Sequence, residues 1–116
     1  MKAKHYSPQG VGNLVLERLL APLHELRGVQ RVVVFESDGF VLYEHGGPSE
    51  INHEPLHVFQ ALLPEGDTSA AVTMVQQGGY VLLQQVNIGI LLVAAERTCN
   101  LGAVRKTLSE VRKALE

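Results

Sequence analysis

The sequence predicts a single α/β domain, a five-stranded antiparallel sheet with three amphipathic helices in the order α-β-β-α-β-β-β-α. Three observations lead there. Leucines and valines recur at three-and-four spacing near both ends of the chain. Runs rich in β-branched and aromatic residues are separated by the turn signals Asp38-Gly39, Gly78-Gly79 and Asn87. The run Ile88-Gly-Ile-Leu-Leu-Val-Ala-Ala95 is apolar on both sides. At 116 residues the chain has room for one domain, read as residues 1–116 with 1–12 as an N-terminal extension.

Ser7-Pro8 offers a side-chain cap followed by a first-turn proline, and from Asn13 the positions Leu16, Leu19, Leu20, Leu23 and Leu26 hold one helical face. Pro22 removes a backbone donor inside this helix, so a kink or break is expected there, and Gly28 should end it. Two strands follow, Val29–Glu36 and Phe40–His45. They are joined by an Asp-Gly hairpin whose central positions both favour positive φ. After the Gly46-Gly-Pro-Ser49 loop, residues 55–63 read as a short helix opened by Pro55 and closed before Pro64, with Leu56, Phe59 and Leu63 on one stripe. Three strands come next, Ser69–Gln76, Tyr80–Val86 and Gly89–Ala95, with connections short enough for antiparallel neighbours. The doubly apolar last strand belongs in the middle of the sheet, and the less bulky Ala70–Gln76 at an edge, where it can pair with another chain. Asn100 then caps a final helix carrying Leu101, Val104, Leu108, Val111 and Leu115.

With 46% hydrophobic and 19% charged residues, the composition is that of a folded domain. The longest apolar run is far short of the roughly 20 residues that span a bilayer, and the opening residues lack a signal-peptide stretch, so no membrane span and a cytoplasmic protein are expected. Aromatics make up 5% with no Trp, and no basic-aromatic interleaving suggests a nucleic-acid surface. The single Cys99 cannot form an internal disulfide and is expected to be a small buried side chain near a helix start. The net charge of −2 conceals a segregation. Lys2, Lys4, Arg18, Arg27 and Arg31 outweigh Glu17 and Glu25 in the first 31 residues, and the last 20 are basic to the same degree. Residues 32–96 contain eight acids and no Lys or Arg.

His53-Glu54-Pro55-Leu56-His57 matches H-E-x-x-H, the pattern of a zinc-dependent hydrolase with Glu54 as base. Pro55 is best placed at the first helical position, however. That leaves His53 outside the helix, so the two histidines do not share a face, and no third ligand is evident. Gly10-Val-Gly12 lacks the third glycine and the preceding strand of a dinucleotide site, and no serine has a nucleophile-elbow setting. The reading is therefore of a protein without catalytic residues, cofactor or metal. Zinc hydrolysis and a small-molecule sensory domain are the alternatives.

The succession Leu23-His-Glu-Leu-Arg-Gly-Val29, Val32-Val-Val-Phe-Glu-Ser-Asp-Gly39, Gly79-Tyr-Val-Leu-Leu83, Ile90-Leu-Leu-Val-Ala-Ala95 and Asn100-Leu-Gly-Ala-Val-Arg105 resembles the roadblock/light-chain-seven family over about residues 13–115. The resemblance implies a three-layer sandwich with the first and last helices on one sheet face and the middle helix on the other. It also implies dimers in which third strands pair into a continuous sheet beside two antiparallel middle helices. Members are typically non-catalytic platforms that bind or regulate small Ras-like GTPases, or attach cargo to dynein. On that footing a homodimer seam is expected at Leu56, Phe59, Leu62 and Leu63 of the helix and Val72, Thr73 and Met74 of the strand, with a small GTPase as further partner. Two features depart from the family: the middle helix is short and flanked by Pro48, Pro55 and Pro64, and no arginine lies between residues 32 and 96. The acidic middle, with Glu50, Glu54 and Glu65, is expected to face a basic partner, while the basic ends lie together behind the sheet.

Overall fold

The computed structural model describes residues 11–46, 61–63 and 71–116. Helix α1 spans Val11–His24, strands β1 to β5 span Val29–Phe35, Val41–His45, Ala71–Gln76, Gly79–Val86 and Gly89–Glu96, and helix α2 spans Leu101–Ala114. The strands form one antiparallel sheet in the order β2-β1-β5-β4-β3. As expected, β5 is central, with Ile90 to Ala95 all buried, and β3 lies at an edge.

The period-two alternation of the strands divides the core into two. On one face Leu20 and Leu23 of α1 and Val104, Leu108, Val111 and Leu115 from the α2 end pack with Val32, Val34, Leu82, Leu91 and Val93. On the other, Val33, Phe35, Val41, Val81, Leu83, Ile90, Leu92 and Ala94 form a second cluster. Among the described residues outside the strands, Leu63 alone joins that second cluster. The expected middle helix lies outside the described residues except for its end. There Ala61–Leu63 form a turn and a bend rather than a last helical turn, in keeping with the bias against helix in the residue before Pro64.

Local chemistry explains where the other elements start and stop. Pro22 does not break α1, which continues through it to His24; the missing N–H takes away one hydrogen bond, the one to the Arg18 carbonyl, near the C-terminal end of the helix. The first hairpin turns on a three-residue loop and so needs one positive-φ residue where two were expected. Only Gly39 has one (φ 92), its N–H donates to Glu36 O, and the Asp38 carboxylate accepts from the Phe40 N–H at 2.9 Å. Such a three-residue loop with a left-handed glycine in third place suits the strand twist. Asn100 caps α2 as expected, its side chain accepting from Ala103 N–H at 3.1 Å.

Gly28 closes the α1–β1 turn at φ 92, and a Cβ there would meet Cys99 Cβ at 2.8 Å and its Cα at 3.0 Å. Two loops from opposite ends of the chain therefore touch through a missing side chain. Cys99 is half-buried. Burial pushes its thiol pKa up and the Glu96 carboxylate adds to the rise, against a backbone hydrogen bond that lowers it. Gly28→Ala should lower unfolding free energy by about 1–3 kcal/mol through backbone strain, with more from the contact, measured by urea titration. A raised pKa leaves less thiolate at a given pH. Cys99 should therefore alkylate more slowly at pH 8 than cysteine in an unstructured peptide, and Glu96→Gln should quicken it.

Candidate functional site

The two sheet edges are built differently. At the β2 edge the register slips between Val34 and Phe35, which pair with Tyr43 and Val41, so Leu42 forms a bulge. The same edge carries Glu44, whose Oε2 accepts a hydrogen bond from Arg31 Nε at 2.9 Å and forms an ion pair with Arg31 Nη2 at 2.7 Å. Charge and bulge are both devices that discourage further strand pairing. At the β3 edge the ladder to β4 runs unbroken from Ala71 opposite Gln84 to Gln76 opposite Gly79. The sequence Ala-Val-Thr-Met-Val-Gln contains no charge and no proline, and among the described residues nothing pairs with its outer side.

Directly opposed residues in an antiparallel ladder share a face. Val72 and Met74, opposite Leu83 and Val81, therefore project with the second cluster, against which they pack half-buried beside Leu63. Thr73, opposite Leu82, and Val75, opposite Tyr80, project towards the helices. Val75 is 75% exposed and Leu62 46%. The structure thus brings Leu63, Val72 and Met74 of the expected seam together and sets Thr73 on the other face, where it lines a shallow groove with Gln84, Arg105, Ser109 and Arg112. Leu56, Phe59, Glu50, Glu54 and Glu65 lie outside the described residues, as do His53 and His57 of the zinc-like motif.

The expected charge layout needs one correction. Arg31, counted with the basic end, lies on β1 opposite Ala94 and so faces away from the helices, where Glu44 neutralises it. Chain position and spatial side part company there because the boundary between basic and acidic stretches falls within a strand. Glu96 is also engaged, accepting from Gln30 at 3.1 Å and from Thr98 at 3.0 Å.

One cluster escaped the sequence reading. Glu17 and His24 on α1 and His45 at the end of β2 offer a carboxylate oxygen and two ring nitrogens within 4.8 Å of one another. His24 Nε2 lies 3.1 Å from Glu17 Oε2, the Tyr43 hydroxyl donates to Glu17 Oε1 at 2.9 Å, and the two imidazoles stack at 3.8 Å. The available signal was the seven-residue spacing of Glu17 and His24, two helical turns; His45 enters only through tertiary packing.

No protein-family model matches the sequence, and no curated protein matches it. Solved structures do. The Roadblock/LC7 domain from Streptomyces avermitilis superimposes at a TM-score of 0.64 and 17% identity, covering 85% of this chain and 92% of that one. The gliding protein MglB from Thermus thermophilus gives 0.66 and 15%, covering 98% and 95%. MglC from Myxococcus xanthus gives 0.62 and 12%, covering 86% and 95%. The strand order, the two helices on one face and the bare β3 edge are thus features of a chain that has the Roadblock/LC7 fold.

Proposed function

We propose that this chain is a non-catalytic, homodimeric scaffold that binds a small Ras-like GTPase or a similar protein. The observation that carries the reading is the undefended β3 edge on a sheet whose opposite edge is bulged and charged. An uncharged, regular edge strand is an aggregation hazard unless something covers it, and a second copy of the same strand covers it by an isologous contact.

Side-chain alternation restricts how two copies meet. For the helices of both subunits to lie on the same side of a continuous sheet, paired residues must have matching faces, so the pairing centres on a residue and not between two. Centring on Thr73 sets Val72 against Met74 twice, on the face where both already pack with Leu63. Leu56, Phe59 and Leu62 extend that seam. Glu50, Glu54 and Glu65 supply an acidic face for the partner's basic surface, which makes association sensitive to salt. The roadblock resemblance points to a GTPase as that partner, and the absence of arginine between residues 32 and 96 argues for a platform over a donor of a catalytic finger from that stretch.

Light scattering at micromolar concentration should give about twice the 12.7 kDa chain mass. Met74→Lys should weaken self-association at least tenfold, about 1.4 kcal/mol or more; a monomeric wild type overturns the reading. Binding to a small Ras-like GTPase should weaken between low and high salt and on joint Glu50→Gln, Glu54→Gln and Glu65→Gln substitution. An unchanged affinity removes the acidic face from the proposal.

A further inference from the structure

The structure assigns a divalent transition-metal site to Glu17, His24 and His45, distinct from the β3 edge and from the His53-Glu54-x-x-His57 sequence. Two imidazoles and one carboxylate are the donor set of three-ligand zinc sites that keep a fourth position for water. The donors come from two elements that the fold has already fixed. Glu17 and His24 are two turns apart on one face of α1, and His45 stands at the end of β2, whose preceding Tyr43 is buried against the same helix.

Three details favour a ligand over a chance meeting of side chains. The Tyr43 hydroxyl holds Glu17 Oε1 at 2.9 Å and so turns Oε2 towards His24 Nε2, 3.1 Å away. An outer hydrogen bond that orients a ligating carboxylate is a usual part of a metal centre. The His24 side chain is only 12% exposed, so its ring is already positioned. The His45 ring lies against it at 3.8 Å and 13°, and a nitrogen of each ring falls within 4.8 Å of the carboxylate oxygen.

A tetrahedral ion with bonds of about 2.0–2.1 Å sets its donors about 3.3 Å apart, so these atoms must draw in by at most about 1.5 Å. Parallel rings direct their lone pairs side by side, and convergence therefore requires His45 to turn. It is exposed at a strand end and has the room to do so. A mixed nitrogen and oxygen set suits zinc among the divalent ions, with copper bound more tightly in the usual order of affinity. Once bound, the ion ties the last turn of α1 to the edge strand β2.

The test is zinc titration of the untagged full chain against a chromophoric chelator at pH 7.5, with thermal unfolding in parallel. One equivalent should bind and raise Tm. His45→Ala, an exposed change that leaves the apo Tm and circular dichroism in place, should weaken binding at least tenfold and abolish the rise, and Glu17→Gln should act in the same direction. The double variant His53→Ala/His57→Ala should bind as the wild type does. Binding that survives His45→Ala, binding lost in the double variant, or a wild type whose Tm ignores zinc each overturns the assignment.

Discussion

A strand that is apolar on both sides can rest only where both of its faces and both of its edges are covered, and Gly89–Glu96 imposes that requirement on everything around it. Its two edges are taken by β1 and β4, and its alternate side chains enter separate cores, Leu91 and Val93 under the helices, Ile90, Leu92 and Ala94 on the far side. With β5 central, the hairpin partners β2 and β3 are pushed outward to become the two edges. The helices then have one face to share, and the remaining face needs a cover to which Leu63 contributes. The need to bury β5 is what makes the molecule layered.

The two edges resolve the same problem in opposite ways. At β2 a bulge, a half-buried ion pair and a histidine end the sheet, and at β3 regular geometry and neutral side chains leave it extendable. Blocking features on one side and their absence on the other give the sheet a direction of growth, and a second copy added through its own β3 would end that growth by leaving a β2 strand at each outer edge. Half of the acids of that stretch, Glu50, Glu54, Glu65 and Asp67, come after β2 and before β3, so charge and extendable edge are linked through one connection in the chain.

Much of this was legible in the residues. The composition of Ile90–Ala95 placed β5, the smaller side chains of β3 placed an edge, and the leucine spacing of Leu16–Leu26 and Leu101–Leu115 named the buried helical faces that the core clusters contain. What escaped depends on contacts between distant positions. Gly39 alone supplies the positive φ of its hairpin because the loop is three residues long, a matter of register that the Asp-Gly pair does not encode. Arg31 read as part of a basic end and instead meets Glu44 across the first hairpin. Glu17, His24 and His45 meet only because α1 packs over β2. No single segment contains enough of that cluster to announce it.

The position of β5 also orders events in time. The β1–β2 hairpin and the β3–β4–β5 meander are built from neighbours in sequence, whereas the β1–β5 ladder joins Phe35 to Ile90 and Val29 to Ala95 across the whole middle of the chain. Loop-closure entropy weighs more on the β1–β5 ladder than on pairing within the two local units, whose docking is the long-range step of the sheet. Until they dock, the β5 strand is exposed along one side, its apolar residues unshielded. The segment that holds the finished molecule together is therefore also the one through which an unfinished molecule is most vulnerable to association with its neighbours.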